Sequence, residues 1–117
     1  MTMSERSQTP GTLTISTETS DGTVSVALRG ELDLASAPQL ERRLRTIERQ
    51  RPQRLIVDLA GLAFIDSTGL RLLLQADERC GQSGCEMVLR PGGASVQRVF
   101  DVTGALEVLH FEDQPQG

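Results

Sequence analysis

The sequence predicts an α/β fold in a single domain: a mixed sheet of about five strands, an opening hairpin then parallel crossovers, with about three to four helices. Two observations carry this. Segments of period-two alternation flank Asp21-Gly22, and short apolar runs of strand length then alternate with segments of helical period. The 117 residues, 38% hydrophobic and 24% charged, suit one folded core and leave no room for a second domain of ordinary size.

Residues 1–11 are polar and end in Thr9-Pro10-Gly11, which predicts a flexible lead-in before a domain spanning 12–112, with a second flexible tail over 113–117. In the first hairpin, Leu13 and Ile15 alternate with threonines, Asp21-Gly22 supplies the turn, and Val24, Val26 and Leu28 alternate with Thr23, Ser25 and Ala27. Ser36 and Gln39 have the spacing of a capping box. The first helix is expected to follow them, with Leu40, Leu44 and Ile47 inward and Pro52 beyond its end.

Leu55-Ile56-Val57-Asp58-Leu59 is almost continuously apolar, as in a central strand covered on both faces. A loop from Ala60 to Asp66 is expected next, then a helix carrying Leu70, Leu72, Leu73, Leu74 and Ala76 that stops at Gly81. Cys85 to Leu89 reads as a strand parallel to the previous one, because a helix separates them. Ser95 is placed to cap a third helix ending at Gly104, and Leu106 to Phe111 reads as a last strand.

A net charge of -4 argues against a nucleic-acid partner, whose phosphates require an excess of cations. The arginines from Arg42 to Arg54 are interleaved with acidic residues, as on a solvated helix face. No apolar run reaches the roughly 20 residues of a membrane-spanning helix, and the start lacks a secretion signal, so no membrane partner and a cytoplasmic location are expected. Cys80 and Cys85 lack the further ligands of a zinc site and read as packing residues, so neither metal nor cofactor is expected. Ser67 stands outside any Gly-x-Ser-x-Gly elbow, the one histidine, His110, falls in the predicted last strand, and no Walker loop is present. No catalytic residue is assigned, and the chain is read as a non-enzyme.

The informative segment is Phe64-Ile65-Asp66-Ser67-Thr68-Gly69-Leu70, between a buried strand and the start of the next helix, where α/β sheets place their sites. Helix-start amides and the dipole favour a phosphate there, and they equally favour serine, threonine or aspartate as a plain cap. By position alone, Ser67 fits either role, and Asp33 reads as a turn residue satisfying nearby amides.

Together, Gly30-Glu31-Leu32-Asp33 and Leu55-Ile56-Val57-Asp58-Leu59 followed by Phe64-Ile65-Asp66-Ser67-Thr68-Gly69-Leu70 resemble the two signatures of the anti-sigma factor antagonist family, which has a STAS domain. The resemblance extends over nearly the whole chain. It implies that Ser67 is the phosphorylation site and that Asp33, Asp66, Ser67, Thr68 and Gly69 form the partner-binding edge, with Thr68 a lesser second acceptor. It also implies the partners. An anti-sigma factor with a histidine-kinase-like ATPase fold, itself the serine kinase, is bound by the unmodified antagonist so that the sigma factor is released; phosphorylation ends the binding and a serine phosphatase restores it. The competing expectation is a STAS subunit of a lipid-transport or stress-signalling complex, acting as a non-catalytic binding module.

Overall fold

The computed structural model describes residues 12–112; the expected tails 1–11 and 113–117 lie outside the described residues. Four strands form one sheet in the order β1-β2-β3-β4: β1 (Leu13–Ser20), β2 (Thr23–Leu32), β3 (Arg54–Ile65) and β4 (Glu86–Arg90). The helices are α1 (Ala37–Arg49), α2 (Ser67–Gln82) and α3 (Ala94–Thr103), followed by a 3-10 turn at Ala105–Glu107.

β1 and β2 pair antiparallel around Asp21-Gly22 with an unbroken register from Leu13↔Gly30 to Ser20↔Thr23. β2 with β3 and β3 with β4 are parallel, and each pair is joined by the helical crossover that parallel neighbours require. Val24, Val26, Leu28, Leu55, Val57, Leu59, Met87 and Leu89 alternate onto one face and share a core cluster with Leu40, Leu44 and Ile47 of α1 and with Leu72, Leu73 and Ala76 of α2. Val96 and Phe100 of α3 join the same cluster, and Phe100 meets Phe111 edge to face with ring centroids 5.2 Å apart.

Several expectations are corrected. The central strand does not end at Leu59 but runs on to Ile65, so the loop expected over Ala60 to Asp66 shrinks to Asp66 alone. Its period-two pattern is hidden by irregular pairing: the β2–β3 register shifts between Ala27 and Arg29 and again between Gly30 and Glu31. On its second face Ile56 is buried too, as expected of a strand covered on both faces, and so is its neighbour Val88. Ile56 lies in register with Ser25 and Val88 outside the core cluster, on the face that carries Asp58 and Arg90.

The expected last strand is a 3-10 turn followed by a single bridge, Leu89↔Phe111, so the sheet proper has four strands. Val108 and Leu106 are exposed where a strand would bury alternate residues, while Ala105 and Leu109 are buried and Phe111 packs partly buried against the core. Ser36 does not build a capping box. Its hydroxyl donates to the Glu31 carbonyl (2.8 Å) and accepts from the Asp33 amide (3.0 Å), while Gln39 Nε2 donates instead to the Leu13 carbonyl (3.0 Å). Ser95 is likewise inside α3, whose cap is Gly93. α2 passes Gly81 by one residue, and Cys85 precedes β4 rather than opening it.

Candidate functional site

The site forms where β2 and β3 deliver their carboxyl ends side by side. Gly30 takes φ +102°, a conformation that costs glycine least, and a Cβ there would come within 2.4 Å of the Thr12 carbonyl oxygen. Only glycine lets β2 bend at this irregular step and aim Leu32 and Asp33 toward the start of α2. Leu32 is fully buried, and its carbonyl accepts from the Asp66 amide at 3.2 Å.

Asp66 is the N-cap of α2 and holds both motifs together. Its Oδ1 accepts from the Gly69 amide (3.0 Å), satisfying one of the unpaired donors of the first turn, and its Oδ2 accepts from the Leu34 amide (3.2 Å) in the other segment. Gly69 is buried because α2 sits directly on β2. A Cβ at Gly69 would lie 2.6 Å from Leu32 Cγ and 3.0 Å from the Leu32 carbonyl oxygen.

Asp33 spends its carboxylate locally: Oδ1 accepts from the Ala35 and Ser36 amides, each at 3.0 Å, which folds residues 33–36 into the turn ahead of α1. This is the turn role that its residue type suggested. The turn in turn presents Leu34, 72% exposed, to solvent.

Ser67 is the first residue of α2 and is exposed; Thr68 is half-buried beside it. The Gly69 amide is taken by Asp66, which leaves the Ser67 and Thr68 amides as first-turn donors without an intrahelical acceptor. The five residues singled out in the sequence, Asp33, Asp66, Ser67, Thr68 and Gly69, therefore occupy one end of the sheet, with Ser67 exposed, Asp33, Asp66 and Thr68 partly buried, and Gly69 serving underneath as a spacer.

Two features of this end escaped the sequence reading. Leu34 and Phe64 (48% exposed) flank it as uncovered apolar side chains, and between α1 and α2 runs a groove of about 340 Å³ bordered by Leu34, Pro38, Thr68, Arg71 and Leu72. Leu34 carried a signal: it is apolar within a turn whose other residues are polar or small. The groove needs two helices to be placed before it exists.

Elsewhere the chemistry is quiet. Cys80 and Cys85 are buried free thiols, and burial first, then the hydrogen bond to Cys85, pushes the Cys80 thiol up to about 12. At neutral pH it is therefore almost wholly protonated and a poor nucleophile. His110 is exposed in the C-terminal segment, where its carbonyl accepts from Leu89 and its charged neighbour is Asp77, about 15 Å along α2 from Ser67. Among the described residues no cluster of His, Cys, Asp or Glu could hold a metal ion, and no helix is long and apolar enough to cross a membrane.

The anti-sigma-B factor antagonist of Staphylococcus epidermidis is 30% identical over 101 residues, covering 86% of this chain and 94% of that protein. The crystal structure of an anti-sigma factor antagonist from Mycobacterium paratuberculosis superposes with a TM-score of 0.82 at 26% identity, covering 91% of this chain and 90% of that one. Bacillus SpoIIAA, solved in its phosphorylated form, shares the fold, with a TM-score of 0.66 at 22% identity over 86% of this chain and 93% of that one. The STAS domain model matches residues 14–116, so the chain belongs to the STAS domain family.

Proposed function

We propose that this chain is an anti-sigma factor antagonist, a non-catalytic protein switched by phosphorylation of Ser67. With Ser67 unmodified it binds an anti-sigma factor, a serine kinase of histidine-kinase-like ATPase fold, and so frees the sigma factor. The kinase directs the Ser67 hydroxyl at the γ-phosphorus of ATP: the Oγ–P bond forms, the bond to the β-phosphate oxygen breaks, ADP leaves, and the hydroxyl proton is lost. A serine phosphatase reverses the modification.

The observation that carries this reading is the position of Ser67, exposed on the first turn of α2 and bordered by uncovered Leu34 and Phe64. A kinase reaches the hydroxyl without unfolding anything, and the same apolar rim supplies contact area for the complex. Phosphate adds about -1.5 to -2 charge next to Asp66 and Asp33, so a docked partner meets both bulk and charge. Asp66 and Asp33 act in binding by fixing the turn that presents Leu34, while Thr68 lines the groove.

The test is a pull-down from lysate of the source cell with wild type and Ser67→Asp as parallel baits, read by mass spectrometry, followed by incubation of the captured kinase with ATP and mapping of the modified residue. Capture of a small histidine-kinase-like ATPase by wild type alone, with phosphate on Ser67, is the expected result. Equal capture of a transporter ATPase or permease by both baits would replace the switch with the transport-subunit reading.

A further inference from the structure

We propose that β1 is a self-pairing edge, and that two copies of this chain join β1 to β1 antiparallel into one continuous sheet, centred on Ser16. The two edges of the sheet are treated differently. At β4 the outward groups of Leu89 are occupied: its amide donates to the His110 carbonyl (2.8 Å) and its carbonyl accepts from the Glu112 amide (2.9 Å). Among the described residues β1 is covered only at its start, where the Leu13 carbonyl accepts from Gln39 Nε2 at 3.0 Å. It is eight residues long, pairs with β2 without a register shift, contains no proline, lysine or arginine, and carries one charge, Glu18. Exposed edges are normally protected by short length, a bulge, proline or lysine, and β1 has none of these.

The ladder fixes which groups point outward. The Glu31 amide donates to the Thr12 carbonyl at 2.8 Å, so Thr12, Thr14, Ser16 and Glu18 face β2, and Leu13, Ile15, Thr17 and Thr19 direct their amides and carbonyls to the open edge. Gln39 Nε2 reaches the Leu13 carbonyl on that open side, as the assignment requires. Only outward residues can bond across a two-fold axis, which leaves two registers near the middle of the strand. One is centred on Ser16 and opposes Ile15 with Thr17, Leu13 with Thr19, and Thr14 with Glu18. The other is centred on Thr17 and brings the two Glu18 carboxylates into diagonal contact, which like charges disfavour. The first register also keeps all side-chain faces in phase, so the pairing is isologous and closed.

Disulfide trapping reads the register directly, because two Ser16 residues would form a non-hydrogen-bonded pair with Cα atoms about 4.5 Å apart. Ser16→Cys, Thr14→Cys and Glu18→Cys are oxidised with copper phenanthroline, each retaining the buried Cys80 and Cys85. Rapid covalent dimer from Ser16→Cys alone is expected, with wild type showing concentration-dependent doubling of mass in sedimentation. Thr17→Pro and Thr19→Pro each remove an outward amide and leave the bonds to β2 intact, so whichever folds by circular dichroism should stay monomeric. Equal trapping at all three positions, or a wild type that stays monomeric to millimolar concentration, would overturn the proposal. So would a dimer that forms only after deletion of residues 2–10, which would put the chain's own N-terminal segment on this edge.

Discussion

Asp66 shows how one side chain can join two distant stretches of sequence. A cap on α2 needs only one carboxylate oxygen; the second holds the Leu34 amide, so the turn before α1 and the start of α2 are set against each other at bond length. The sequence showed that a cap stood among Asp66, Ser67 and Thr68, because capping is local chemistry written in adjacent residues, but not which of them it was. The bond to Leu34 spans 32 positions and was not legible, nor was the exposure of Leu34 that follows from it. An apolar residue held rigidly in solvent beside Ser67 has a measurable consequence. Leu34→Ala is expected to weaken the anti-sigma factor complex by tenfold or more, as truncation of an interface anchor costs upward of about 1.4 kcal/mol. Because Leu34 is 72% exposed, the melting temperature should stay within about 2 °C of wild type. Calorimetric titration and thermal unfolding read the two quantities separately, and unchanged affinity would remove Leu34 from the interface.

At the scale of elements, the sequence was readable wherever a residue pattern and its packing partner lay within one segment. The β1–β2 hairpin, the inward stripe of α1 at Leu40, Leu44 and Ile47, and the Gly104 stop of α3 at φ +83° are of this kind. It was misread where a distant strand changed the local rule: β3 stays paired past Leu59 because irregular steps in β2 absorb the broken alternation, and Ser36 turns its hydroxyl back to Glu31 instead of capping α1. Gly69 belongs to the same class. Sequence assigns it to a helix start, whereas the structure makes it the point where α2 rests on Leu32. Gly69→Ala should therefore destabilise the fold by about 1–3 kcal/mol through overpacking, although alanine is the better helix former. The check is a double-mutant cycle with Leu32→Ala in urea. Since Leu32→Ala removes the crowding Cγ and Cδ2 at a cost of its own, recovery appears as a coupling of more than about 0.5 kcal/mol, and strict additivity would mean that the approach to 2.6 Å is relieved without strain.

For the whole molecule, the question is whether phosphorylation acts on the fold or only on the surface. α1 and α2 are fixed to each other away from the site by the fork of Arg79 on Glu48, at 2.9 and 2.8 Å, and both bury their inner faces in one core with the sheet. Interiors packed in this way do not deform gradually, so a charge added at an exposed first-turn residue has few routes inward. Its local terms also oppose each other. The dipole and free amides of α2 favour a phosphate by about 0.3–1 kcal/mol, and the carboxylates of Asp66 and Asp33 disfavour it by a comparable amount once solvent screens them. The difference should be below about 1 kcal/mol, which in a domain of this size moves the melting temperature by less than about 8 °C. Binding is expected to respond differently, because the same charge in a desolvated interface has no compensating partner and costs several kcal/mol, or upward of a hundredfold in affinity. Scanning calorimetry of Ser67-phosphorylated and unmodified protein, beside titration of each into the anti-sigma factor, compares the two responses. A small shift in melting with a large loss of affinity fits a surface switch. Cooperative melting that falls by more than about 10 °C would instead place the switch in the packing of α2 on β2, and the role of Gly69 would then change from spacer to part of the moving joint.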